Sequence, residues 1–221
     1  FRHCDFKKEE IEIIIVENSK VLSINDRAYF EKFSNVLYYD NFINKGFGQG
    51  NNVGSSYARG EILLFLNPDT ELGCPIFREV SDLFKTNQNI GSIGCNLVFK
   101  DGRPNYSYGY LPEKATMPLL IFDALFLRKY RIYNSRWIYP WGACMFVRKR
   151  DFISAGRFDD KIFLTHEEPD LVKRMHPKTV YMLDKKVVHH GGHTIKNNNV
   201  RANNWYTSFV GYQKKHSMHN M

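Results

Sequence analysis

The sequence predicts an α/β fold with a mainly parallel sheet and helices on both of its faces. Three observations support this. Short apolar, β-branched runs recur along the chain and stop at Gly, Pro, Asn or Asp. Stretches with helical spacing separate them, and the runs are continuously apolar rather than alternating, as in strands buried on both faces. A chain of 221 residues can bury one good core. One domain over residues 1–196 is therefore expected, with a helical tail over 197–221.

The elements follow in order. Residues 1–10 read as the end of a helix and a turn, and 11–16 as a buried strand ending in Glu17-Asn18-Ser19. A short helix is expected over 27–33 and a strand over 36–39. A Gly- and Asn-rich loop follows over 41–50, then a helix over 51–59 stopped by Gly60. The strand Ile62 to Leu66 runs into Asn67-Pro68-Asp69-Thr70. Residues 76–86 fit an amphipathic helix, 90–99 a strand region, and Asp101-Gly102 a turn. Residues 103–137 are aromatic, basic and poorly periodic, and read as an insertion over a site. Further expectations are a strand over 143–147, short helices over 152–155 and 169–175, and short strands over 180–183 and 187–188. The tail is expected to be helical over 205–215.

Composition narrows the class. A hydrophobic share of 43% and a charged share of 24% suit a globular domain. The 15% of aromatic residues suits a rich core or a surface that meets rings and headgroups. No apolar run approaches the ~20 residues needed to span a bilayer, and residues 1–20 show neither a secretory signal nor a transit-peptide pattern. Cys4, Cys74, Cys95 and Cys144 form no Cys-x-x-Cys pair, which excludes zinc-ribbon and redox-motif readings and favours reduced thiols in a cytoplasmic protein. The net charge of +8 suggests a polyanionic partner: nucleic acid, the phosphates of a small molecule, or an anionic membrane surface. The basic residues cluster at 128–131, 148–150, 185–186 and 214–215.

Four segments carry chemistry. The run Ile62 to Leu66 delivers Asp69 to the carboxyl edge of a sheet, where open α/β folds meet metals and phosphates; an ordinary Asx-type turn is the alternative. The glycines of the stretch from Asn44 to Gly54 permit close backbone approach ahead of a helix. That suits a nucleotide cradle or a plain surface loop, but not a Walker loop, because no Gly-Lys-Ser/Thr ending is present. In His166-Glu167-Glu168-Pro169-Asp170-Leu171, Pro169 favours the first helical turn and places two adjacent carboxylates at the helix N-terminus. They can cap the helix, or one can act as a general base. His189, His190 and His193 end a short apolar strand among glycines. Adjacent histidines of an extended chain point to opposite faces, so one metal ligand, not a zinc site, is the reading there.

The order and spacing of these segments resemble the family-2 inverting glycosyltransferases of the GT-A (Rossmann-like) nucleotide-diphospho-sugar transferase fold, especially rhamnosyltransferase-like members. The matching residues are Val16 to Ser19, Asn44 to Gly54, Leu66 to Thr70, Gly142-Ala143, and Gly156-Arg157-Phe158-Asp159. Glu167 to Leu171 with Arg174, and His189 with Gly191-Gly192, complete the set, over about residues 11–194. The resemblance implies that Asp69 is the metal-binding carboxylate of an Asp-x-Asp motif, with Asn67 at its first position, and that His189 is the second metal ligand. Glu168 becomes the general base with Glu167 as its neighbour. Glu17 approaches the donor's base, and Asn44, Gly46 and Asn52 belong to the donor-binding loop. Trp141, Gly142, Ala143 and Asp170 fall where the acceptor is received.

A UDP- or dTDP-linked sugar, Mg²⁺ or Mn²⁺, and a saccharide or lipid-linked saccharide acceptor in surface-polysaccharide synthesis are the implied partners. The implied place is cytoplasmic, with peripheral contact at the inner face of the plasma membrane. The chemistry agrees, because inverting transfer needs a base for the acceptor hydroxyl and a cation for the departing diphosphate.

The chain also departs from the family. The first family strand has no counterpart before Phe1 and is expected to be missing. The interval from Asp170 to His189 is short, with an abrupt join at Met175-His176-Pro177 where residues are expected to be absent. Glu stands for Asp at positions 17 and 168, which lengthens each reach by a methylene. The rival readings are a sugar-nucleotide pyrophosphorylase, which the chain matches less well for want of a Gly-, Arg- and Lys-bearing loop, a non-catalytic sugar-binding relative, and a nucleic-acid-binding protein. Against the last, no helix concentrates the basic residues and neither an RNP-type motif nor a zinc module is present, so nucleic acid is not an expected partner.

Overall fold

Adjacent residues of a strand face opposite sides of its sheet, and strand 144–148 shows what that does here. Cys144 and Phe146 enter a core cluster with Ile76, Val80, Phe84, Ile93 and Leu183. Met145 and Val147 enter another with Leu63, Phe65, Phe152, Phe158 and Leu171. One sheet thus separates two apolar layers. The structure, a computed structural model, describes residues 4–18, 24–113, 133–191 and 198–217.

In chain order the elements begin with β1 (Ile13–Glu17), α1 (Ile24–Phe30), β2 (Val36–Asp40), α2 (Phe47–Tyr57), β3 (Ile62–Leu66), β4 (Thr70–Glu71) and α3 (Phe77–Thr86). There follow β5 (Ile90–Val98), β6 (Tyr108–Tyr110), β7 (Ile138–Pro140), β8 (Cys144–Arg148), α4 (Lys149–Ser154), α5 (Glu167–Arg174), β9 (Thr179–His189) and α6 (Asn198–Ser217). The central sheet has the order β3-β8-β5-β9-β4, and β1-β2 and β6-β7 form separate pairs. Helix α3 belongs to the layer of Ile76, Val80 and Phe84; α4 and α5 contribute Phe152, Leu171 and Val172 to the opposite one.

The α/β class is as expected, but the sheet is mixed rather than mainly parallel. Strands β1 and β2 are parallel, as are β5 and β9. Strand β8 runs antiparallel to both of its neighbours, β3 and β5, and β4 runs antiparallel to β9. Burial on both faces makes a strand apolar throughout whatever its direction, so the pattern reported burial and not polarity.

Several boundaries also differ: the helices expected over 27–33, 152–155 and 205–215 are Ile24–Phe30, Lys149–Ser154 and Asn198–Ser217. The expected strands at 180–183 and 187–188 are one strand, β9. Cys95 pairs with Leu183 and Asn96 with Lys186, so Asp184 and Lys185 are accommodated as a bulge, held where Asn96 Nδ2 donates to Asp184 Oδ1 at 2.9 Å. Helix α2 starts at Phe47 instead of 51, inside the glycine-rich stretch read as a loop. Its N-cap, Gly46, has φ +94°, and a Cβ there would overlap the Phe163 carbonyl oxygen. Close approach, not a mobile loop, accounts for that glycine. Residues 114–132 of the expected insertion lie outside the described residues, as do the basic cluster 128–131 and His193.

Cys95 and Cys144 are buried and Cys4 and Cys74 half-buried, all as free thiols. No helix among the described residues is long and apolar enough to cross a membrane.

At the end of β8, Arg148 carries its guanidinium into the interior with 6% exposure. It donates to the carbonyls of Phe84 (2.5 Å), Asn87 (2.8 Å) and Ile90 (2.6 Å) and to Asp151 Oδ2 (3.1 Å). A cation thus closes the C-terminal end of α3, where carbonyls lack helical partners, and ties it to the start of β5. Arg148→Met is expected to cost about 3 kcal/mol by leaving these acceptors unpaired. Urea denaturation with an unchanged slope measures it, and a loss below about 1 kcal/mol would refute this role.

Candidate active site

Strand β3 ends at Leu66, and the chain turns back at once. Asn67 N–H donates to Ala143 O at 3.1 Å and Thr70 N–H to Asn67 O at 3.1 Å, closing a turn over Pro68. Thr70 then pairs with His189 across the β4–β9 ladder, and His190 N–H donates to Asp69 O at 2.9 Å. This register puts Asp69 Oδ1 3.4 Å from His189 Nε2. His189 is 8% exposed. Asn105 holds it from behind, with Nδ2 donating to His189 O at 3.1 Å and standing 3.4 Å from Nδ1. The sequence reading did not single out Asn105, because it lies in the unpatterned 103–137 stretch.

The pair fits a divalent cation in part. A carboxylate oxygen and an imidazole nitrogen, each about 2.1 Å from an ion and at right angles, stand about 3 Å apart, close to the distance found. Among the described residues no group of three or more His, Cys, Asp or Glu side chains joins them. A metal held here needs further ligands besides these two side chains.

Helix α5 brings the acidic pair. Gly142 N–H donates to Glu168 Oε1 at 2.8 Å. A Cβ at position 142 would stand 2.6 Å from that oxygen and 2.7 Å from the Phe47 ring, so only glycine lets the carboxylate reach the amide. Glu167 is 1% exposed, and its Oε1 has no hydrogen-bond partner. Burial, with the adjacent Glu168 charge added, pushes the Glu167 carboxyl well above the usual carboxylate range. Burial also raises Glu168, but the Gly142 amide works against it. Burial thus favours the proton more strongly at Glu167, while Glu168 is the member with an amide donor to support its charged form.

Asp170, expected beside the acceptor, goes elsewhere. Its carboxylate is fully buried under α6. Oδ2 accepts from Arg174 Nε (3.0 Å) and Nη2 (2.7 Å), and Oδ1 from Lys215 Nζ (2.9 Å) and His216 Nε2 (2.9 Å). Burial opposes its ionisation, but the His216 bond and the Arg174 and Lys215 charges outweigh that and hold its pKa at about 2. Lys215 and His216 were not recognisable in sequence, since nothing in a tail pattern says which turn of α5 it meets.

The remaining expected residues sort into two groups. Gly142 and Ala143 lie between Glu168 and the Asn67–Thr70 turn, with Trp141 next to them in the chain. Trp141 stacks on Tyr106 at 5.4 Å and 15°, and Ala143 O accepts from both Asn67 N–H and Thr70 Oγ1. The donor-loop residues are engaged in the fold. Asn44 Oδ1 accepts from Gly46 N–H at 2.9 Å. The Asn52 amide bridges to Phe158 O (2.9 Å), Phe158 N–H (3.0 Å) and Asp160 (2.8 Å). Glu17 is buried at the end of β1, opposite Asp40 in the ladder.

Asp69 and His189 lie on one side of the Gly142–Ala143 segment and Glu168 on the other, and the fold that carries them is that of the GT-A nucleotide-diphospho-sugar transferases. The glycosyl transferase family 2 profile matches residues 3–154, and the chain belongs to that family. It is 22% identical over 180 residues to the O-antigen biosynthesis protein RfbC of Myxococcus xanthus, covering 74% of this chain and 13% of that protein. It is 23% identical over 185 residues to the low-salt glycan biosynthesis hexosyltransferase Agl10 of Haloferax volcanii, covering 80% and 57%. The chain thus spans only part of the length of these curated relatives. Among solved structures it matches the mannosyltransferase PcManGT of Pyrobaculum calidifontis, in complex with GDP-Man and Mn²⁺, at a TM-score of 0.64 and 9% identity, over 97% of this chain and 57% of that one. S. aureus TarS residues 1–349 in complex with UDP match at 0.58 and 14% identity, over 83% and 52%.

His166, at the N-cap of α5, is a buried ring whose pKa burial lowers from 6.5 to about 4. A histidine with a depressed folded pKa favours the native state above the unfolded value and disfavours it as pH falls toward the folded one. His166→Phe is therefore expected to gain stability relative to the parent between pH 6.5 and 4, by up to about 3 kcal/mol. Denaturant melts of both proteins across that range check it; a difference independent of pH would contradict it.

Proposed function

We propose that the chain is the catalytic domain of a metal-dependent inverting glycosyltransferase. It would move a hexosyl- or rhamnosyl-type sugar from a nucleoside diphosphate to a saccharide or lipid-linked saccharide hydroxyl in surface-polysaccharide synthesis. The observation that carries this reading is the Gly142–Ala143 segment. Its amide holds Glu168, and its next carbonyl holds the turn that presents Asp69 to His189. The base and the candidate cation ligands are thereby anchored to adjacent residues.

In this reading Glu168 takes the proton of the attacking hydroxyl, helped by burial that raises its affinity for that proton. Glu167, kept protonated, spares Glu168 a second charge next to it. Asp69 and His189 would hold Mg²⁺ or Mn²⁺, which supplies charge neutralisation for the departing diphosphate. Asn67 lies at the same turn, near the donor. The Tyr106–Trp141 stack offers the acceptor sugar a flat apolar face. Glu17 would approach the donor's base, while Asn44, Gly46 and Asn52 would shape the donor side by fixing α2. Asp170, buried under α6, contributes indirectly by holding α5 in place. RfbC and Agl10 support a role in glycan assembly, and the GDP-Man–Mn²⁺ and UDP complexes of the structural neighbours support the donor class and the metal. The basic surface of the chain, at +8, suits an anionic lipid-linked acceptor and contact with the inner face of the membrane.

Thermal shift with UDP, dTDP and GDP, each with and without Mn²⁺, tests the donor and metal arm. Stabilisation by a nucleoside diphosphate that requires the metal is expected. Asp69→Ala and His189→Ala should each weaken metal-linked binding by about 10- to 100-fold. Unchanged metal dependence in either variant removes that residue from the site. Glu168→Gln should bind the donor normally while nucleoside diphosphate release in the presence of acceptor falls on the order of 10²- to 10⁴-fold. Retained turnover would move the base elsewhere.

A further inference from the structure

We propose that α6 is a clamp that sets the position of the base, with Lys215 and His216 as positioning residues acting through Asp170. The inference rests on the reading of Glu168 as the base. It concerns a helix beyond the residues that the family profile matches, 3–154.

The clamp holds α5 on both sides of Glu168. On the N-terminal side, Thr165 and His166 both adopt left-handed backbone, with φ of 67° and 68°. Side chains with a Cβ resist that conformation, a β-branched threonine most of all, and it persists only where the surroundings over-determine it. Here α6 does so. The His166 ring packs among Trp205, Phe209 and Tyr212 at centroid distances of 5.4, 5.7 and 6.2 Å. Ser208 Oγ donates to Leu164 O at 2.8 Å. These contacts decide where α5 starts, and Glu167 and Glu168 are its first two residues.

On the C-terminal side, Lys215 and His216 reach Asp170, two residues beyond Glu168, from the last turn of α6. Lys215 also bonds Asp159 Oδ2 at 2.6 Å and so joins the 156–163 loop to the same point. The Asp170 carboxylate is fully buried, and a buried carboxylate holds a fixed place only while its partners do. The eight-residue α5 is too short to keep its geometry unaided. With both sides tied, the Glu168 carboxylate stays in reach of the Gly142 amide.

The test reads that reach directly and needs no acceptor. Amide exchange of Gly142 and the titration of Glu168 in ¹³C-glutamate-labelled protein, assigned with Glu168→Gln, are followed in the full chain. Lys215→Met and His216→Phe should each lower Gly142 protection by about tenfold and shift the Glu168 midpoint from its parental value, while β5 amides keep their protection. His216→Gln, which retains a donor, should preserve the parental behaviour. Unchanged Gly142 protection and an unchanged Glu168 midpoint in both variants would overturn the clamp. So would a loss shared equally by β5, which marks global destabilisation. Failure of the base assignment would show differently, as turnover surviving in Glu168→Gln.

Discussion

Two consecutive residues, Gly142 and Ala143, carry the arrangement on which the site depends. The Gly142 amide holds Glu168, and the Ala143 carbonyl holds the Asn67–Thr70 turn. Cys144 N–H donates to Trp141 O at 3.2 Å and closes a turn with Gly142 and Ala143 at its centre, so this short segment bridges two arms from distant parts of the sequence. It leads into β8, the strand that lies between β3 and β5 and feeds both core layers. A shift in the packing of either layer is therefore a shift of the site.

The carboxylates of the first turn of α5 share a helix end but not a chemistry. Asp170 is surrounded by Arg174, Lys215 and His216 and remains charged despite full burial. Glu167 is equally buried without a partner for Oε1, and favours its proton. Glu168 lies between these extremes, half-buried and in contact with one amide. Partner supply, more than depth, separates the three. The same logic explains Arg148, whose burial is tolerated because four acceptors surround it.

Family membership and the fold it brings are carried by residues 3–154. Glu168, His189 and the whole of α6 lie beyond that stretch, so the chemistry proposed for this chain depends on a part that the profile does not match. The mixed sheet matters here. Because β9 runs parallel to β5 while the short β4 pairs against it, the end of β9 is brought to the turn that follows β3. That is what places His189 beside Asp69.

Sequence alone determined the α/β class, the apolar strands expected at 62–66, 90–99 and 143–147, and the residue types of the candidate site. These are legible because burial leaves continuous apolar runs and because turns demand Pro, Asn, Asp and Gly at definite places. Strand direction was not legible at β8, since apolar continuity carries no polarity. The start of α2 was not legible either, because glycines that permit close helix packing look like those of a loop. Only the tertiary structure decided that Asp170 serves α6 and not an open cleft, that Asn52 ties α2 to residues 158–160, and that Asn105 backs His189. The physical reason is common to all three. A hydrogen-bonding side chain is indifferent to its partner's place in the chain, and packing alone chooses among the partners within its reach.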